Sequence, residues 1–136
     1  MRHRYVMLIL MLVGAACGGG GSNGGGGGGT PTSPTPPTTP PVATTTITIT
    51  AAGVSPQRIT VSPGTRVTFI NNDTRSHEMN SNPHPTHGDC PPIDDVGFIA
   101  PGQSKQTGNL NATRTCGYHD HNQPDVGSLQ GQIVVQ

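Results

Sequence analysis

From residue 47 to Gln136 the sequence predicts an all-β domain, a small sandwich or barrel. Three observations predict it. Apolar and polar residues alternate with a period of two in several short runs. Pro-Gly and Asn-rich turns punctuate those runs. No window carries helical periodicity, and strands alone must then enclose the core.

The chain begins quite differently. "MRHRYVMLILMLVGAAC" carries Arg2 and Arg4, then an apolar run from Tyr5 to Val13 that is too short to span a bilayer. Small residues Gly14, Ala15 and Ala16 lead to Cys17. Residues 1–16 therefore have the anatomy of an export signal peptide. The segment resembles a bacterial lipoprotein signal, which implies acylation of Cys17 and a lipid anchor. Gly14 departs from that pattern, which usually has Leu there. The alternative is an ordinary cleaved signal that leaves Cys17 as a thiol. Residues 17–46 form a Gly-rich and then Pro/Thr-rich disordered linker, too poor in apolar side chains to offset the entropy of ordering. Its proline part favours extended polyproline geometry, so the tract would hold a domain clear of a membrane surface. The expected location is exported and membrane-anchored, facing the periplasm or cell exterior.

Within residues 47–136, "TTTITIT" sets Ile47 and Ile49 against threonines as a first half-buried strand. "QRITVSPGTRVTFINND" gives two more runs, Ile59/Val61 and Val67/Phe69, separated by a Ser62-Pro63-Gly64 turn. "NND" ends the second run. "IAPGQSKQTGNL" has another turn at Pro101-Gly102 and then a weaker, polar strand. "GQIVVQ" supplies a β-branched final strand. Residues 79–98 contain four prolines and no periodicity, and read as a long surface loop.

Five of the chain's seven basic residues and all seven acidic ones fall in this domain, a net charge of −2 with no basic stripe. Nucleic acid is not an expected partner. The domain has no Trp, and so small a core would be helped by a metal or a disulfide.

The chemistry-bearing residues cluster in "CGYHDH", Cys116 to His121, with His77 far upstream in "NNDTRSHEMN". Two imidazoles and one thiolate form the trigonal set of a blue copper site. Cys116 and His119, three apart, can face one ion from a single tight loop, with His77 supplied by the end of the "TRVTFINND" strand. A disulfide competes with this reading. Cys90 and Cys116 are the two domain cysteines, and thiols of an exported domain usually pair. That bridge would contribute about 3–4 kcal/mol in the chain-entropy treatment. One sulfur cannot be both bridge and thiolate. His84, His87 and Cys90 in "HPTHGDC" could form a second metal site, a lid bringing ligands to the first, or a plain polar loop. His121 is either a fourth ligand or a solvated loop residue.

The order of "GVSPQRITVSPGTRVTFINNDTRSHE", "APGQS", "CGYH" and "GQIVV" resembles the cupredoxin family, over the whole of residues 47–136. The resemblance implies a Greek-key β-sandwich, copper as cofactor, and His77, Cys116 and His119 as equatorial ligands. It also implies single-electron transfer to redox partner proteins, with the edge of His119 as the exit. The family's axial Met, in a Met-x-Gly before the last strand, is replaced here by Leu129-Gln130-Gly131. Leu129 would not coordinate, which leaves His121 as the candidate fourth ligand. Three functions follow: a membrane-tethered mononuclear copper electron carrier; a copper carrier or sensor using His84, His87 and His121; or a metal-free interaction module closed by Cys90–Cys116. No paired carboxylates or nucleophile–base pair point to an enzyme.

Overall fold

The computed structural model describes residues 39–136. The signal peptide, Cys17 and the tract up to residue 38 lie outside the described residues. Ten strands form two sheets: β1 (Val42–Ala43), β2 (Thr46–Thr50), β3 (Gly53–Ser55), β4 (Arg58–Val61), β5 (Thr68–Asn71), β6 (His77–Ser81), β7 (Gly97–Ile99), β8 (Ser104–Gln106), β9 (Arg114–Asp120) and β10 (Gln130–Val135). Two single 3-10 turns, Pro91–Ile93 and Gly127–Leu129, are the only helical pieces among the described residues. The all-β expectation holds.

One sheet has six strands in the order β1-β4-β10-β9-β6-β7, and the other has four in the order β3-β2-β5-β8. β4 runs parallel to both β1 and β10, and β2 runs parallel to β5; the other pairs are antiparallel. Alternation in the sequence is alternation in burial. Ile47 and Ile49 of β2 are buried between half-exposed threonines, and Ile133 and Val135 of β10 are buried beside Gln132 and Val134. The two inner faces share one core. Phe69 of β5 meets Tyr118 of β9 edge-to-face across the sandwich, with ring centroids 5.2 Å apart. Burial pushes the Tyr118 hydroxyl far above its ordinary pKa. Gly131 makes room for that ring: a Cβ there would collide with the Tyr118 hydroxyl and the Gln57 carbonyl.

Both Pro-Gly turns form as the sequence predicts. Thr65 N donates to Ser62 O across Pro63-Gly64, and Gln103 N donates to Ala100 O across Pro101-Gly102. Each glycine takes a positive φ, 84° at Gly64 and 76° at Gly102.

Two boundaries differ from the sequence reading. Val42, Ala43 and Thr46, expected in the linker, already belong to strands; the prolines stop at Pro41, and Val42-Ala43 lies parallel to Ile59-Thr60. The expected loop of residues 79–98 is shorter, because Met79–Ser81 finish β6 and Gly97–Phe98 open β7. Burial of Met79, Cys90, Ile93 and Val96 draws its ends into the core. In the irregular remainder, His84 and His87 lie beside the outward-facing His119, while Cys90, Ile93 and Val96 pack into the core.

A candidate metal centre of four histidines

β9 is a seven-residue strand, so its side chains alternate between faces. Cys116, Tyr118 and Asp120 point into the core. Gly117 and His119 point outward. Asn82, His84 and His87 lie on this outer side beside Gly117 and His119, and the segment that carries them runs on to Cys90, which returns to the core side. Asn82 N donates to Gly117 O (3.1 Å), Asp89 N to Asn82 O (2.9 Å), and Ser81 Oγ to His87 O (2.7 Å). Arg114 pairs with Asp89 at 2.6 Å, and a disulfide joins Cys90 to Cys116, with Cα atoms 5.7 Å apart. His121 follows the strand directly; its N–H donates to Glu78 O (2.7 Å), and it opens the turn in which Gln123 N donates to Asp120 O (3.0 Å).

This arrangement gathers four imidazoles. The ligating nitrogens of His84, His87, His119 and His121 all lie within 4.8 Å of one another. Ring centroids are 4.9 Å apart for both His84–His121 and His87–His121, and 5.2 Å apart for His87–His119. Nitrogens about 2 Å from one ion are at most about 4 Å apart, so small ring rotations close the set. Exposure is graded: His119 is buried at 2%, His87 and His121 are half-buried, and His84 is exposed. His119 Nδ1 meets Asn82 Oδ1 at 2.8 Å, while its Nε2 is buried with no hydrogen-bond partner among the described residues. His121 Nδ1 and His87 Nε2 lie 3.2 Å apart and share one N–H···N bond. A shift of tautomer frees both lone pairs for an ion. Burial first, and then the charge of His87, His84 and His121, hold His119 down to a pKa of about 4, with Asp120 opposing. Its ring is neutral and ready to coordinate across the whole physiological range.

The sequence matches no protein-family model and no curated relative. Solved structures do match. One is a purple cupredoxin from Nitrosopumilus maritimus, 19% identical, TM-score 0.55, covering 68% of this chain and 100% of that one. Another is an amicyanin variant described in the Cu(I) form, 18% identical, TM-score 0.52, covering 67% of this chain and 80% of that one. A third is the oxidised plastocyanin of Dryopteris crassirhizoma, 15% identical, TM-score 0.52, covering 67% and 99%.

The domain has the cupredoxin fold.

Within this fold the expected ligand set His77, Cys116 and His119 does not come together. Cys116 is bonded to Cys90, and a disulfide sulfur offers no thiolate. The expectation put Cys116 and His119 on one tight loop. Because β9 instead continues to Asp120, residues three apart face opposite sides. His77 is on the inner side as well, since the register pairs Met79 with Asp120 and Asn80 with His119. Its Nδ1 lies 2.8 Å from Asp120 and its Nε2 lies 3.1 Å from Asp73, all three groups being buried. The "NND" turn sets up that contact. Asn71 Nδ2 donates to Arg75 O and Ile99 O, and its Oδ1 accepts from Asp73 N. Burial raises the Asp73 carboxyl, but the Thr74 N–H, Arg75 and His77 outweigh it and bring the pKa down to about 2. Leu129, the expected non-coordinating axial residue, is core.

Of the expected ligands only His119 and His121 enter the cluster. His84 and His87, which the sequence left between a second site, a lid and a plain polar loop, complete it. Two spacings carried the signal. His119 and His121 are two apart, the first near the end of β9 and the second opening the turn just beyond it. His84 and His87 lie on a proline-rich segment next to a cysteine whose partner is on the same strand as His119.

Proposed function

We propose that the protein is an exported copper-binding protein whose centre is the set His84, His87, His119 and His121. The observation that carries this is the convergence of four imidazole nitrogens within 4.8 Å, one of them on a buried ring with an unpartnered nitrogen. Buried polar atoms are normally partnered, and a cation supplies the partner. An all-imidazole set suits copper, and Cu(II) binds such nitrogen ligands most tightly among the first-row divalent ions. The trigonal set of two imidazoles and a thiolate does not fit, because both domain cysteines are committed to the disulfide.

Bound copper would supply a one-electron couple. His119 would hold the ion from inside, its ring fixed and shielded from water. His87 and His121 would close the sides. His84, exposed on its loop, would be the ligand first to exchange. This graded exposure favours a carrier or sensor that takes up and releases copper from the outer face. Single-electron transfer to a redox partner protein is the second reading, favoured by the shared fold with amicyanin and plastocyanin. Tethering through an acylated Cys17 is part of the same proposal, supported by the signal-like residues 1–16.

The test is a calorimetric titration of Cu(II) into the purified protein. One copper per chain is expected, with affinity falling steeply in His87→Ala, His119→Ala and His121→Ala. Loss of copper to an external chelator on ascorbate reduction favours carriage; retention through repeated cycles favours electron transfer. Uptake unchanged by all three substitutions would refute the centre. Palmitate labelling should mark the wild type and not Cys17→Ser.

A further inference from the structure

His119 can offer Nε2 to an ion only if its proton sits on Nδ1. A neutral imidazole has two tautomers, and the partner of one nitrogen decides the state of the other. The partner of Nδ1 is Asn82 Oδ1, at 2.8 Å. That carbonyl oxygen only accepts, so Nδ1 donates, and the buried, unpartnered Nε2 keeps its lone pair for an ion.

Asn82 itself is fixed in place. Its N–H donates to Gly117 O and its C=O accepts from Asp89 N. Its side chain lies flat over Gly117, where a Cβ would collide with the carboxamide. The glycine of "CGYH" therefore makes room for the residue that orients the histidine two positions on.

We propose that Asn82 is a positioning residue of the metal centre: it locks His119 in the Nδ1–H tautomer, and Gly117 is the space that permits it. This rests on the four-histidine reading and adds to it what sets the ligand atom. Partners that orient a ligating histidine typically contribute about 10–100-fold in metal affinity.

The experiment compares the full chain with Asn82→Ala, Asn82→Asp and Gly117→Ala. Long-range 1H–15N correlation spectra of the metal-free protein report which ring nitrogen of His119 carries the proton. Calorimetry reports the Kd for Cu(II), and thermal unfolding confirms that each variant is folded. The wild type should show Nδ1–H. Asn82→Ala should show mixed tautomers and bind Cu(II) about 10–100-fold more weakly. Asn82→Asp, which can accept but not donate, should restore both the tautomer and the affinity. Gly117→Ala should behave like Asn82→Ala with Asn82 still present. A wild-type ring protonated on Nε2 would overturn the proposal. So would an unchanged affinity in Asn82→Ala, or an Asp variant as weak as the Ala one. If the wild type takes up no copper, the four-histidine reading fails and the proposal with it; the tautomer spectrum, recorded without metal, tells the two failures apart.

Discussion

Replacing His77 by alanine should destabilise the domain severely and leave its copper stoichiometry alone. The ring is 0% exposed and sits between two buried carboxylates, with Asp120 at 2.8 Å and Asp73 at 3.1 Å. Asp73 keeps Arg75 at 3.0 Å and the Thr74 N–H. Asp120 keeps the Glu78 and Asn122 N–H groups on Oδ1, but its Oδ2 loses the imidazole. Each of the two buried bonds from the imidazole to a carboxylate is worth about 1.5–3 kcal/mol, so losing both costs about 3–6 kcal/mol. Against a total stability of about 5–15 kcal/mol this is a large share. Equilibrium urea unfolding reads it out. With a slope of about 2 kcal/mol/M, the midpoint should fall by about 2 M. The double variant His77→Ala/Asp120→Asn should lose less than the sum of the two singles, with a coupling of about 1–3 kcal/mol. A His77→Ala midpoint within about 0.5 M of wild type, a loss of about 1 kcal/mol at that slope, would refute the reasoning. So would loss of copper from His77→Gln in a folded state, because His77 and His119 face opposite sides of the sheet.

Two other outcomes follow from the same geometry. Replacing Cys90 and Cys116 together by alanine should cost about 3–4 kcal/mol in urea unfolding, from the loop-closure entropy at a sequence separation of 26; it should also weaken Cu(II) binding, since the bridge ties the His84/His87 segment to the strand bearing His119. The metal-free domain should lose stability as pH falls from 6.5 towards 4. His119 has its pKa lowered from 6.5 to about 4 in the fold, so in that window the unfolded chain binds the proton and the folded one does not. Stability is fully present above pH 6.5 and is lost on acidification, and urea midpoints of His119→Gln should be flatter there.

Much of the frame was legible in the sequence. Ile47/Ile49, Ile59/Val61 and the "GQIVVQ" run state their own faces, and Pro63-Gly64 and Pro101-Gly102 state their turns, because period and φ are local properties. The site was less legible because it depends on where a strand stops. "CGYHDH" fits a ligand loop or a strand equally well by composition. As a loop it brings Cys116 and His119 together; as a strand it sends them to opposite faces, and the register with β6 sends His77 with the cysteine. Register is set by pairing with Asn80 and Gln130, which no local pattern reveals. The disulfide was one of two open readings for the same reason. Cys90 sits in a stretch without periodicity, and only burial of Ile93 and Val96 fixes it beneath β9.

The optical and EPR spectra of the Cu(II)-loaded protein test the central claim most directly. Four imidazoles and no thiolate predict a weak visible absorption, without the intense charge-transfer band near 600 nm of a blue site. They also predict nitrogen splitting in the EPR signal whose pattern changes from four coupled nitrogens to fewer in His119→Ala. An intense band near 600 nm that disappears in Cys116→Ser would place a thiolate on the copper, and the four-histidine centre would be wrong.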